Sequence, residues 1–225
     1  MYSVVTCVGL DEIIKAIEES VNEVDRILEE KDRVREEVIR IVRDIVRFSG
    51  DAITSIHLGK LDEAEEIIKR VEDLISKVYE LVENHPELKY SGLVNDAVAE
   101  YVEAKLLLEF VRNGKVPRYN EINVHYVPYL KGLCDFVGEL KRLAIDSLRR
   151  SDIDYAYKVF NIMECVYNAL RRLDYPDALT PGLRHRVDIM RRIIEDLRAF
   201  LVDMESRLKL VKALKSRESG DQSRA

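Results

Sequence analysis

Four acidic residues stand at spacings that could hold a cation. Glu100 and Glu103 are three apart in Ala99-Glu100-Tyr101-Val102-Glu103-Ala104, and Asp135 and Glu139 are four apart in Leu133-Cys134-Asp135-Phe136-Val137-Gly138-Glu139-Leu140. On a helix, each pair shares one face. Both stretches lie inside apolar runs, 93–111 and 127–148. Carboxylates buried there cost free energy unless compensated. Four of them on facing helices repel one another unless a cation sits between them. Hard oxygen donors of this kind suit Mg²⁺, with Mn²⁺ as a possible substitute. A dinuclear iron site fits less well, because bundles that carry one use Glu-x-x-His pairs, which neither stretch offers. Acid pairs at this spacing are also common on solvated helix faces, and chemistry alone leaves that reading open.

The elements that must position these acids are helices. Apolar residues recur at helical spacing from Leu10 to Leu28 and again from Val34 to Val46, with the charged bridge Glu29-Glu30-Lys31-Asp32-Arg33 between them. This predicts one long helix, or two nearly collinear ones, to about His57, with Gly50 as a local weak point. Its length implies an exposed stripe that another subunit could cover. A second helix is expected over about 61–84, ended by His85-Pro86, and a third over about 91–111, stopped at Asn113-Gly114. After a loop at 115–125, a fourth helix starts near Pro128 and runs to Arg150. Ser151 or Asp152 can cap a fifth, to about Leu173, and a sixth spans about 183–210. The fourth helix carries Gly132 and Gly138, costly in a helix interior, which are explicable if something approaches the backbone closely. The expectation is an all-α antiparallel bundle of six or seven helices, a single domain over 1–215, with a disordered polar tail at 216–225.

Composition agrees. The 225 residues are 47% hydrophobic and 35% charged, with only 9 Gly and 5 Pro. That is enough chain for one well-buried domain, with salt-bridged outer faces. A single glutamine, Gln222, beside abundant Glu, Lys and Arg is a composition seen in thermophilic proteins. Cys7, Cys134 and Cys165 have no metal-ligand spacing and suit a reducing compartment. No stretch approaches a membrane span, and the start is too short for a signal segment, so a cytoplasmic protein with no membrane association is expected. The net charge of −6 argues against tight non-specific duplex binding by an all-basic surface.

Other candidates are less specific. Arg43 and Arg47 on the first helix and Arg142 on the fourth could contact phosphates, or could pair with neighbouring Glu. His57, His85, His125 and His185 show no mutual spacing and read as structural. The cluster Asp62-Glu63-Ala64-Glu65-Glu66 with Glu72-Asp73 is similar to the acidic helices of all-α nucleotide pyrophosphohydrolases, but both halves fall on one helix beside Lys69 and Arg70. A solvated charged face is the better reading there.

The two acidic stretches together resemble the translin superfamily, and within it the branch of translin-associated factor X (Trax). Tyr129-Leu130-Lys131-Gly132 leads into the second stretch, and Lys141-Arg142 follows it. Arg43-Asp44-Ile45, with Ser49 and His57 downstream, is similar to the family's first helix. Asp152-Ile153-Asp154 and Val166-Tyr167 match in order. The likeness covers roughly residues 30–210. Translin proper has apolar residues where Trax has its acids, and this chain keeps the acids. Gly50-Asp51 departs from the pattern, since Trax tends to carry basic residues there.

The resemblance implies a Mg²⁺-dependent endoribonuclease acting on single-stranded or short RNA, with single-stranded DNA as a second ligand. It places Glu100, Glu103 and Asp135 on catalytic carboxylates and Glu139 on a further metal-site acid. Glu103, Asp135 and Glu139 would hold the ion directly or through water, and Glu100 would orient or deprotonate the attacking water. Arg43 and Arg142 match the family pattern and would grip phosphate. The family also implies a closed, hollow homo-oligomer, an octamer, with the acids facing inward. A non-catalytic single-stranded nucleic-acid binder like translin is the alternative, and a nucleotide pyrophosphohydrolase a third.

Overall fold

The computed structural model of the protein describes residues 8–222. Cys7 with the rest of the apolar start, and the last three residues of the tail, lie outside the described residues. Seven α-helices and one 3₁₀ turn are present among the described residues, and no strand.

The first helix, α1 (Val8–His57), runs unbroken through the charged bridge and through Gly50. Its two halves differ. Val38, Val42, Ile45, Ala52 and Ile56 are buried, whereas Leu10, Ile13, Ile14, Ile17, Val21, Val24, Ile27 and Leu28 are all exposed. The amino-terminal half therefore stands off the bundle with a bare apolar stripe, as the length of the pattern predicted. Gly59, at φ +77°, takes the left-handed turn that reverses the chain. The second helix, α2 (Leu61–Leu81), then packs antiparallel on α1, inserting Ala64, Ile68, Val71, Ile75 and Val78. It ends three residues early, and Pro86 starts a short α3 (Pro86–Lys89), where its missing N–H costs nothing.

Helix α4 (Gly92–Asn113) is the centre of the molecule, in contact with α1, α2 and α5. Ser91 caps it by accepting from the Val94 N–H, and Gly114 closes it in the left-handed conformation at φ +64°. The return at 115–125 carries the 3₁₀ turn Tyr119–Glu121 and is pinned by buried Ile122. His125 caps α5 (Tyr126–Arg149), which starts two residues before Pro128. Asp152 caps α6 (Ile153–Leu170) by accepting from the Tyr155 N–H at 3.0 Å. The last helix, α7 (Leu183–Gln222), overruns its expected end and takes in most of the expected disordered tail. The sequence 211–222 is rich in Lys, Ala, Leu, Arg and Glu, which favour a helix.

Helices that follow one another along the chain mostly alternate in direction, as Lys77 against Glu37 (4.0 Å) shows for α1–α2 and Tyr157 against Glu205 (2.9 Å) for α6–α7. Among the long consecutive helices, α4 and α5 are the exception. Asp96 meets Lys131 (2.7 Å) and Phe110 packs edge-on against Phe136 (5.9 Å between centroids), so the two run the same way.

Gly132 explains how close they come. A Cβ there would stand 2.6 Å from the Ala99 carbonyl oxygen and 2.7 Å from the Val102 Cβ. The expected close approach is thus the backbone of α4. Gly138 differs, since a Cβ there would meet nothing within 4 Å. Gly132→Ala is therefore expected to destabilise the protein by roughly 1–3 kcal/mol through overpacking. Gly138→Ala should be neutral or stabilising by about 0.5–1 kcal/mol through helix propensity. Urea unfolding of the two variants checks the contrast.

Candidate functional site

The contact at Gly132 sets the acids. On α4, Glu100 and Glu103 directly follow the contact residues Ala99 and Val102, and on α5 Asp135 lies one turn beyond Gly132, with Glu139 a further turn along. Glu103, Asp135 and Glu139 line one cavity of about 550 Å³, whose far wall is the start of α7 with Arg186 and Met190. Gly138 opens into this cavity. Glu100 is not among the lining residues but lies close enough for the Asp135 charge to act on it.

Burial and mutual repulsion govern the charges. Glu103 is only 8% exposed. Desolvation first, then the charges of Asp135, Glu100 and Glu139, push its carboxyl up to about 8. Glu100 is raised by burial and by Asp135. Asp135 is raised by burial in spite of Arg186, whose guanidinium donates to its carboxylate from across the cavity. Glu139 is paired with His57 from the end of α1, a ring only 5% exposed. Glu103 and Glu100 have no hydrogen-bond or ion-pair partner among the described residues. The thiol of Cys134, also on the cavity wall, is pushed up to about 12 by burial and is inert as a nucleophile.

The four acids of the sequence pattern are thus brought together. They do not form a ready ligand set. Among the described residues, no three His, Cys, Asp or Glu side chains are grouped as a metal site. Arg186 holds Asp135, and His57 holds Glu139. The donor chemistry nonetheless fits a hard divalent cation, because unpartnered buried carboxylates are what such an ion would relieve.

Of the three arginines that the sequence offers as phosphate contacts, only Arg142 is near the acids, 3.9 Å from Glu139 on the same helix. Arg47 lies on the exposed face of α1, bonded to Asp44 at 2.7 Å and stacked with Arg70 on the Phe48 ring. Arg43 is exposed one turn before it, away from the cavity lining. Sequence reasoning gave no role to Arg186 and read His57 as structural. Neither carried a spacing signal, since both reach the site from other helices. The pyrophosphohydrolase-like acids are engaged elsewhere. Asp62 and Glu65 bind Arg112, and Glu72 accepts from Tyr101 (2.9 Å) and Lys105 (3.2 Å).

The chain as a whole has known relatives. The profile of the Translin family matches residues 33–203, and the chain belongs to that family. It is 27% identical over 169 residues to an uncharacterized protein of Methanocaldococcus jannaschii, covering 75% of each chain. Among solved structures it is similar to AfC3PO in a complex with duplex RNA, at 31% identity and a TM-score of 0.75, over 84% of this chain and 97% of that one. Apo-NeC3PO, at 23% identity and a TM-score of 0.70, covers 80% of this chain and 96% of that one and shares the fold. No helix among the described residues is long and apolar enough to cross a membrane.

A carboxyl raised to about 8 from an ordinary value near 4.5 stays protonated in the folded chain after the unfolded chain has lost that proton. Over that window the native state binds more protons, so stability falls as pH rises. The shifts of Glu100 and Asp135 act in the same direction. Glu103→Gln removes the largest contribution. In metal-free buffer, it is expected to raise the Tm at pH 8.5 by at least roughly 2–4 °C, the change that about 1 kcal/mol makes in a domain of this size. At pH 4.5 its Tm should match the wild type, which calorimetry at both pH values checks.

Proposed function

We propose that the protein is a metal-dependent endoribonuclease of the Trax type, acting on single-stranded or short RNA. The observation that carries this reading is the convergence of Glu103, Asp135 and Glu139 on one cavity with Glu100 beside them, Glu100 and Glu103 having no hydrogen-bond or ion-pair partner among the described residues. A purely structural core would not keep unpaired carboxylates beside one another. The resemblance to Trax, which retains the acids that translin lacks, supports an enzyme over a binder. That AfC3PO, 31% identical, has been solved with duplex RNA supports RNA as the ligand and puts short duplexes among the substrates to test.

Glu103, Asp135 and Glu139 would hold Mg²⁺, or Mn²⁺ in its place, directly or through water. A bound ion of this kind makes water more acidic and offsets charge on phosphoryl oxygens. Glu100, beside the same cluster and raised by burial and by the Asp135 charge, would orient the attacking water and take its proton. His57 fixes the Glu139 carboxylate from behind, as a second layer of contacts does in metal sites. Arg142, beside Glu139 at the rim, would meet the RNA backbone, and Arg43 and Arg47 would extend that contact along α1. The bare apolar stripe of α1 fits a homo-oligomer in which a neighbour covers it, an octamer by family resemblance.

End-labelled RNA incubated with the protein in Mg²⁺ and in EDTA tests the reading. Internal cuts are expected only with Mg²⁺. Glu103→Gln and Asp135→Asn should each slow cutting by roughly 10²–10⁴-fold while leaving RNA binding within a few-fold. RNA bound but not cut by the wild type would favour the translin-like binder.

A further inference from the structure

Arg186 is the group at the site that neither the acidic motifs nor the mechanism above employs. It enters from the first turn of α7, about 70% buried, and its Nη1 donates to the Asp135 carboxylate. Its Nη2 lies 4.0 Å from Asp96, a residue already held by Lys131 at 2.7 Å. So one cation of the protein's own stands among carboxylates that would otherwise carry a divalent ion. Asp135 has no other hydrogen-bond partner among the described residues, whereas Asp96 keeps Lys131 if the guanidinium leaves. The cavity in front of Arg186 has room for a swing of the long side chain, because Gly138 on the facing wall presents no side chain.

We propose that Arg186 is a resident counter-cation that yields Asp135 to the metal ion and then grips the phosphate of the bound RNA. This rests on the metal-site reading above. Two physical facts carry it. Arg186 Nη1 contacts both oxygens of the Asp135 carboxylate, so a divalent cation taking either oxygen meets a like charge at close range and competes with Arg186 for Asp135. Once displaced, the guanidinium stays tethered within the cavity, and its planar fork matches a phosphate as well as a carboxylate. The exchange gives the apo site a compensated charge and the loaded site a donor aimed at the substrate. The metal pays for the exchange through a lower apparent affinity, as for any site whose competent state is partly populated.

The test separates the two roles. Mn²⁺ is titrated calorimetrically into the full-length wild type, Arg186→Ala and Arg186→Lys, and RNA cutting is followed at saturating Mn²⁺. Arg186→Ala is expected to bind Mn²⁺ about tenfold tighter, because the competitor is gone. Its kcat should fall by roughly 10²–10³-fold, the usual effect of losing one donor to developing charge. Arg186→Lys should keep near wild-type Mn²⁺ affinity and lose most of the kcat, since a point charge competes but does not fork. Unchanged or weaker Mn²⁺ binding by Arg186→Ala would overturn the competition and make Arg186 an organiser of the acids. Tighter binding with undiminished kcat would overturn the phosphate role. A wild type that neither binds Mn²⁺ nor cuts RNA would overturn the enzyme reading itself, and this proposal with it.

Discussion

Like charges crowded into a low-dielectric pocket must be neutralised by protons, by cations or by distance. Helices α4 and α5 remove distance as an option. Their backbones touch at Gly132, so Glu103 and Asp135 face each other across a contact that cannot widen without parting the core. What remains is protonation, seen in the raised Glu103 carboxyl, an internal cation, Arg186 at Asp135, and a hydrogen-bond partner, His57 at Glu139. The arrangement of α1 and α7 around the central pair follows from this need, since each delivers one of those groups.

The same contact explains why the surrounding core is so apolar. Helix α4 is enclosed on nearly all sides, by α1, α2 and α5, and buries Val98, Val102, Leu106 and Leu107 alongside Glu103. A helix of that kind offers few polar groups that could pair with a carboxylate. Tyr101 and Lys105 pair with Glu72 and Arg112 with Asp62 and Glu65, all of them facing α2 and away from the cavity. The carboxylates are thereby left to the cavity, which is where their chemistry is available.

Much of this was legible in the sequence, and the part that was not shares one cause. The helices announced themselves through apolar periodicity, with Asp152, Pro86 and Gly114 marking their ends by local chemistry. The acid pairs were legible because i, i+3 and i, i+4 spacing converts directly into a shared face. Gly132 was legible as an anomaly, a residue with poor helix propensity in a helix interior. Gly138 looked the same in sequence, yet it borders open space, because propensity reveals the oddity of a glycine and not what lies opposite it. Arg186 and His57 were invisible as site residues. Their partners are 51 and 82 positions away, and no periodicity encodes a meeting across that span. The run of α7 to Gln222 was missed because polar composition was weighed there over helix propensity.

The parallel course of α4 and α5 bears on the order in which the molecule comes together. Antiparallel helices joined by a short turn, such as α1 and α2, find each other through local contacts. A parallel pair needs the chain to travel back the full length of a helix, here through 114–125, before any contact can form, and that loop closure carries an entropic cost. The mutually repelling carboxylates sit on opposite sides of that late closure. A folding chain is thus expected to build the α1–α2–α4 layer from nearby contacts and to meet the electrostatic penalty of the pocket only when the apolar framework able to bear it is in place.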